Sequence, residues 1–102
     1  MAYRVVWSPA ALQDVEDIAE YIARDSSRYA SAVVSKILAV ARGLRQFPTR
    51  GRIVPEFADP AIRETFVYTY RLIYRVKDRE VTVAAVIHGK RLLDSVRDRF
   101  GG

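Results

Sequence analysis

The chain has 102 residues, half of them apolar and 28% charged, and it contains no cysteine. This composition predicts one folded domain, residues 1–102, and excludes disulfide bonds, thiol catalysis and cysteine-ligated zinc. The net charge is +5, no apolar run approaches the ~20 residues of a membrane helix, and no signal peptide is visible, so we expect a cytoplasmic protein that does not bind a membrane.

The first half of the chain predicts a strand followed by two helices. Tyr3–Trp7 is rich in β-forming residues, and the Ser8-Pro9 pair that follows is typical of a helix start. Apolar residues recur at helical spacing from Ala10 to Arg24, and again from Tyr29 to Gln46. The link between these two segments is short, which predicts an antiparallel helical hairpin.

The second half of the chain predicts a loop and then strands. Thr49–Ala61 contains two prolines and a glycine and indicates a loop, with a short extended piece at Ile53-Val54. The later segments are predicted as strands Ile62–Tyr68, Tyr70–Val76 and Glu80–His88, a tight turn at Asp78-Arg79, and a tail helix at Leu92–Phe100. The order β-α-α-β-β-β predicts an α+β fold, with the N-terminal helical hairpin on one face of a mainly antiparallel sheet.

Side-chain alternation along the last two strands predicts which residues share a face of the sheet. With the two-residue turn, the expected pairs are Lys77–Glu80, Tyr74–Val83, Leu72–Ala85 and Arg71–Val86. The face beneath the helices then carries Tyr70, Leu72, Tyr74, Val76, Val81, Val83, Ala85 and Ile87. The opposite, open face carries Arg71, Ile73, Arg75, Thr82, Ala84, Val86 and His88. Arg71 and His88 become diagonal neighbours there, within reach of each other.

The open face is a candidate site, although arginine stems that cover an ordinary solvated sheet face would give the same pattern. His88 is the only histidine. It suits acid–base chemistry, but a strand-end histidine is more often a hydrogen-bonded cap. With no second histidine and no cysteine, we expect no transition-metal site. Neither a G-x-S-x-G elbow nor a glycine-rich phosphate loop is present, and we expect no cofactor.

The charge distribution suggests an anionic partner. Residues 1–48 carry a net charge of +1 and residues 49–102 carry +4, and 14 of the 17 basic residues are arginine. Arginine suits bidentate contacts with phosphate or carboxylate groups. Nucleic acid and an acidic protein are both compatible with this pattern. A stand-alone nucleic-acid-binding module is therefore one hypothesis, and a bias towards arginine in the codons of the gene is a simpler explanation.

A series of short motifs runs through nearly the whole chain. The motifs are W-S-P-x-A at Trp7–Ala11, D-I-A-E-Y-I at Asp17–Ile22, F-P-x-x-G-R at Phe47–Arg52, V-P-E at Val54–Glu56, I-R-E at Ile62–Glu64, Y-R-L-I-Y-R-V at Tyr70–Val76 and H-G-K-R at His88–Arg91. In this order they resemble the RelE/ParE superfamily of bacterial type II toxins. The resemblance implies a helical hairpin on an antiparallel sheet, and neutralisation by a small acidic antitoxin in a hetero-oligomer.

The superfamily acts on two different targets. RelE-like members cut mRNA on the ribosome, whereas ParE-like members poison DNA gyrase. For a nuclease, the resemblance implies catalytic roles for Arg71, His88 and Arg91, with Glu56 and Arg63 as weaker candidates. The chain departs from the nuclease patterns at three positions, with Phe66 in place of an arginine and Arg97 and Gly89 in place of tyrosines.

These departures favour the ParE-like, "plasmid stabilization" branch and inhibition of gyrase. The catalytic residues are then unknown, or there are none. The candidate target-binding cations are Arg71, Arg75, Lys90, Arg91 and Arg97. Ribosome-dependent mRNA cleavage stays the alternative.

Overall fold

The computed structural model describes residues 2–89 and 94–101, and it contains the expected α+β fold. The strands are β1 (Arg4–Trp7), β2 (Arg52–Ile53), β3 (Ile62–Val67), β4 (Tyr70–Lys77) and β5 (Glu80–His88). The helices are α1 (Pro9–Ala23), α2 (Ser27–Gly43) and α3 (Asp94–Arg97), the last followed by a 3₁₀ helix at Asp98–Phe100. The five strands form one sheet in the order β1-β5-β4-β3-β2.

Serine caps fix where the two long helices begin. The Ser8 hydroxyl accepts a hydrogen bond from the Ala11 N–H at 3.1 Å, and Pro9 occupies the first helical position. The Ser26 hydroxyl caps α2 in the same way, through the Tyr29 N–H at 3.1 Å. Each cap satisfies a backbone donor that a helix start leaves unpaired. The antiparallel hairpin predicted from the sequence is confirmed.

The hairpin covers one face of the sheet, where the larger core lies. Its buried members are Ala11, Val15, Val33, Ile37, Ala41, Leu44, Val67, Leu72, Tyr74, Val81, Val83 and Val86. The remaining strands pair antiparallel, but β1 joins the edge of the sheet parallel to β5, with Arg4 opposite Glu80. No local pattern specifies this pairing, because it depends on the hairpin returning the chain along the sheet.

A β-bulge between β4 and β5 changes the predicted register. The expected pairs Lys77–Glu80 and Tyr74–Val83 are present, and both turn residues have the positive φ of a tight hairpin turn. Beyond Tyr74 one extra residue, Ala84, enters β5, so that Ile73 lies opposite Ala85. The expected pairs Leu72–Ala85 and Arg71–Val86 are wrong; the partners are Val86 and Ile87.

Side chains from outside the β4–β5 pair hold the backbone at the bulge. The Asp14 carboxylate of α1 accepts a hydrogen bond from the Val86 N–H at 3.0 Å. Arg99 donates to the Ala84 carbonyl at 2.9 Å and also to Asp14 Oδ2 at 2.7 Å. The backbone groups beside the extra residue thus find polar partners in α1 and the C-terminal segment.

Beyond the bulge, each residue of β5 faces the side of the sheet opposite to the one predicted. Val86 now belongs to the core beneath the helices, whereas Ala85 and Ile87 face the other side. His88 lies opposite Tyr70, and Arg71 lies opposite Ile87. Since neighbouring residues of β4 alternate between faces, Arg71 and His88 lie on opposite sides of the sheet. The expectation that they are neighbours is wrong.

The second face of the sheet is not open, contrary to the sequence prediction. It carries a smaller core formed by Val54, Ile62, Ile73, Ala85, Ile87 and Val96, with Phe57 and Phe100 packed against it. The loop after β2 and the C-terminal segment cover this face of the sheet. The tail helix predicted at Leu92–Phe100 is present as α3 and the 3₁₀ helix, while Leu92 and Leu93 lie outside the described residues.

We predict that Asp14→Ala destabilises the fold by about 1–3 kcal/mol, because the Val86 N–H and the Arg99 guanidinium lose a buried partner. Urea denaturation followed by circular dichroism would measure the free energy of unfolding. Asp17→Ala, one turn further along α1 and exposed, is the matched control and should cost much less. Equal losses in the two variants would contradict this role of Asp14.

Candidate functional site

The second face of the sheet holds a buried arginine between two carboxylates. Arg71 of β4 is only 6% exposed. Its Nε donates to Glu64 Oε1 at 2.5 Å. Its Nη1 and Nη2 donate to the two carboxylate oxygens of Glu56 at 3.2 and 3.1 Å, a bidentate contact. All three guanidinium nitrogens therefore already have a partner within the chain.

A second arginine completes a neutral network. The Glu64 side chain is fully buried, and its other oxygen accepts a hydrogen bond from Arg52 Nε at 2.7 Å. Arg52 lies directly opposite Glu64 in the β2–β3 pair. Two arginines and two glutamates thus alternate in space and cancel in charge. This arrangement makes the burial of Arg71 and Glu64 tolerable, since an unpaired buried charge costs several kcal/mol.

The network also shifts the ionisation of its members. Hydrogen bonds from Arg71 hold the pKa of Glu56 below its ordinary value of 4.5, and burial opposes this only in part. The same contact with Glu56 raises the pKa of Arg71. Both groups are therefore charged at neutral pH, and the pair is a stable ionic contact.

Tyr74 and Gly51, two other residues of the sequence motifs, lie beside this network. The buried Tyr74 hydroxyl accepts a hydrogen bond from the Gly51 N–H at 3.0 Å, and burial raises the pKa of Tyr74. A Cβ at Gly51 would meet the Glu64 carbonyl at 2.5 Å and the Tyr74 hydroxyl at 2.6 Å. Glycine is therefore required here by close approach of the chain, and the F-P-x-x-G-R motif positions Arg52 beside Glu64.

The other candidate cations are spread around the molecule. Arg63 donates to the Pro60 and Gly51 carbonyls at 3.1 and 3.0 Å, so it fastens the loop. Arg97 lies over the Phe57 ring at 4.9 Å, and Arg75 is partly exposed on β4. The predicted residues Lys90 and Arg91 lie outside the described residues.

His88 lies on the helix side of the sheet, at the exposed end of β5. Its ring contacts Tyr70 edge to face, with centroids 6.0 Å apart. Burial raises the pKa of Tyr70. A groove of about 350 Å³ runs from His88 and Tyr70 to Asp17 and Tyr21 of α1. The sheet separates this groove from Arg71, so Arg71 and His88, two of the predicted catalytic residues, do not converge on one point.

Within residues 2–89 and 94–101, no helix is long and apolar enough to cross a membrane. The same residues contain no group of three or more His, Cys, Asp or Glu side chains placed to hold a metal ion.

Comparison with known proteins identifies the family. The family model described as the ParE toxin of the type II toxin–antitoxin system parDE matches residues 5–93, which is most of the chain. The chain belongs to the ParE toxin family. It is therefore a toxin of a type II toxin–antitoxin system, within the RelE/ParE superfamily indicated by its motifs.

Individual relatives agree with this assignment. Toxin RelE2 of Caulobacter vibrioides is 32% identical over 90 residues, 87% of this chain and 98% of RelE2. A structure of the chromosomal ParDE system of P. aeruginosa matches with a TM-score of 0.71 and 20% identity, covering 85% of this chain and 96% of the other. A mutant of E. coli RelE in the free state matches with a TM-score of 0.66 and 18% identity, covering 97% and 94%. The two structures show the shared fold.

In this ParE-family toxin, sequence reasoning missed the main partners of Arg71 and Asp14. Glu64 is the last residue of the I-R-E motif, and its place in a strand bounded by apolar residues is the signal that could have indicated a buried, paired carboxylate. Arg99 gave no comparable signal, because its contact with Asp14 spans 85 positions of the chain.

We predict that Glu56→Gln flattens the dependence of stability on pH. The pKa of Glu56 is lowered in the folded toxin, so its contribution is complete above the ordinary pKa of 4.5 and is lost as the pH falls through the lower folded value. Urea denaturation at a series of pH values would measure the slope. Glu16→Gln, on the exposed side of α1, is the control; a wild-type slope in Glu56→Gln would contradict the prediction.

Proposed function

We propose that this toxin inhibits DNA gyrase in the cytoplasm by binding to it, and that it does not cut RNA. The observation that carries the proposal is the position of Arg71, which is neutralised by two glutamates on the face of the sheet opposite His88. RNA cleavage requires a base, an acid and cations around one phosphate. Here the candidate base and the candidate cation lie on different faces.

Binding of phosphate by Arg71 would also carry a high cost. The phosphate would have to displace carboxylates from all three guanidinium nitrogens, and Glu64 would be left buried with one partner fewer. Binding of a protein target does not require Arg71 to separate from these carboxylates. The residues that we assign to target binding are the partly exposed Arg75 and the exposed Arg97, together with Lys90 and Arg91 of the H-G-K-R motif.

The partner that neutralises the toxin is, in this proposal, a small acidic antitoxin. The net charge of +5 supports it. So do two solved complexes with the same fold, RelBE2 of Mycobacterium tuberculosis and YoeB–YefM of Staphylococcus aureus. We expect the antitoxin to lie across the hairpin and the sheet, to be disordered alone and to fold on binding.

Ribosome-dependent mRNA cleavage is the second candidate, and the name of the relative Toxin RelE2 favours it. In that case residues of the H-G-K-R motif would contact the scissile phosphate without Arg71.

The deciding experiment is expression of the toxin without antitoxin, with DNA, RNA and protein synthesis followed by pulse labelling. We predict that DNA synthesis stops first and that the purified toxin inhibits supercoiling by gyrase. His88→Gln should leave both effects nearly unchanged, because His88 ends a strand and does no chemistry in this proposal. Immediate arrest of translation, abolished by His88→Gln with a loss of about 10²–10⁴-fold in cleavage, would overturn the proposal in favour of the nuclease.

A further prediction concerns the antitoxin. A short reading frame beside this gene should encode an acidic protein that restores growth when it is expressed together with the toxin. The two proteins should co-purify, and their association should weaken at high salt because complementary charge contributes to it. Absence of rescue by either neighbouring reading frame would contradict the prediction.

A further inference from the structure

The groove beside α1 has an acidic and aromatic lining, although the chain as a whole is basic. It encloses about 350 Å³ and is lined by Asp14, Asp17, Ile18, Tyr21, Tyr70, Val86, Ile87 and His88. None of these lining residues is lysine or arginine, whereas the whole chain has 17 basic residues and a net charge of +5. The groove therefore differs in chemical character from the basic surface that the composition predicts.

Helical spacing places a carboxylate of the groove next to an exposed aromatic ring. The lining residues that α1 contributes share one face of the helix, and Asp17 and Tyr21 are four positions apart on it. Residues at this spacing are direct neighbours on a helix surface. Tyr21 is 68% exposed, so its ring is accessible to a partner that also reaches the Asp17 carboxylate.

The two carboxylates of the groove differ in how they are paired. The buried Asp14 accepts hydrogen bonds from the Val86 N–H and from Arg99, which neutralises it. The exposed Asp17 accepts a hydrogen bond from the Gln13 amide at 2.9 Å. Among residues 2–89 and 94–101, no cation forms an ion pair with Asp17. The groove thus keeps one negative charge that a cationic partner can neutralise.

An arginine side chain matches a carboxylate that lies beside an aromatic ring. Its planar guanidinium donates two parallel hydrogen bonds to a carboxylate and also lies flat against aromatic faces. The chain contains one contact of the second kind, because the Arg24 guanidinium lies 5.9 Å from the centroid of the Tyr21 ring. Arg24 does not line the groove, and an aromatic ring has two faces, so a second guanidinium can approach from the groove.

We propose that this groove binds an arginine side chain presented by the protein that the toxin inhibits. The guanidinium pairs with the Asp17 carboxylate and lies against the Tyr21 ring, and the methylene stem of the arginine lies along Ile18. This inference rests on the proposed function, in which the target is a protein. The groove ends at His88, the first residue of the H-G-K-R motif, whose cations are assigned to the same target.

Charge and shape separate an arginine from the other candidate occupants. Helix α1 has four acidic residues and no basic residue, so it repels nucleic acid and acidic peptide segments. The described part of the chain holds no group of three or more side chains suited to a metal ion. A lysine or a polyamine carries a compact charge that does not match the planar contact. A second copy of the toxin carries the same +5 charge.

The first test titrates full-length, ¹⁵N-labelled toxin with the peptide acetyl-Leu-Arg-Leu-amide. We expect saturable chemical-shift changes at Asp17, Ile18 and Tyr21. The same peptide with citrulline keeps the shape of arginine without its charge, and it should bind at least about fivefold more weakly because the ion pair with Asp17 is lost. A lysine peptide should bind at least about threefold more weakly, since an ammonium group cannot make the bidentate contact.

Matched substitutions connect the groove with inhibition of the target. D17N should raise the toxin concentration that inhibits supercoiling by gyrase at least about fivefold, and Y21L should have a similar effect. E16Q makes the same change in net charge as D17N, and F47L removes another exposed ring. Neither Glu16 nor Phe47 lines the groove, so inhibition by these two variants should match the wild type. Thermal denaturation of all four variants checks that each is folded.

Several peptide results would overturn the inference. Equal binding of the arginine and citrulline peptides would show that the groove does not recognise the charge. Equal binding of the lysine peptide or of spermidine would reduce the contact to attraction for any cation. Shift changes at Tyr21 that grow with toxin concentration in the absence of peptide would assign the groove to a second copy of the toxin.

The gyrase assay separates this inference from the proposed function. If the wild-type toxin inhibits gyrase and D17N inhibits it equally well, the groove does not contact the target, and the inference is wrong while the proposed function stands. Equal losses of inhibition in D17N and E16Q would also overturn the inference, because they indicate a general effect of charge. If the wild-type toxin does not inhibit gyrase, the proposed function fails, and the peptide titration alone decides the inference.

Discussion

The ion pair between Arg71 and the buried Glu64 is the interaction on which the second half of the structure depends. It places a charge beneath the smaller core, and the remaining partners follow from the need to neutralise it. Arg52 and Glu56 come from segments on either side of Val54, so the network fixes the loop after β2 against the sheet. That loop, with the C-terminal segment, closes a face that would otherwise be exposed to water.

A second constraint acts at the bulge in β5. One additional residue there moves the side chains of the later β5 residues to the opposite face of the sheet. Asp14 and Arg99 satisfy the backbone there, so α1, β5 and the C-terminal segment meet at a single point. The bulge therefore has a consequence for the candidate site. It directs His88 to the groove beside α1 and separates it from Arg71.

The helical hairpin has one acidic side and one basic side. The acidic side of the hairpin lies along α1 and the groove near His88, and the basic side lies along α2 and the free edge of β1. A toxin that must meet both a target and an antitoxin benefits from surfaces of different character. The division leaves one side of the hairpin that attracts anionic groups and one side that repels them.

The sequence by itself determined the element order, the helical hairpin and the Asp78-Arg79 turn, because caps, periodicity and turn residues act over a few positions. The superfamily was indicated by the resemblance of its series of short motifs to known toxins. It identified Arg71 and His88 as notable but placed them wrongly on one face, since a bulge leaves no mark in the alternation of apolar residues. Only the tertiary structure decided that Glu56, Glu64 and Arg71 form one network and that β1 pairs parallel with β5. Those contacts join residues up to 76 positions apart, and their energy depends on burial that no local pattern specifies.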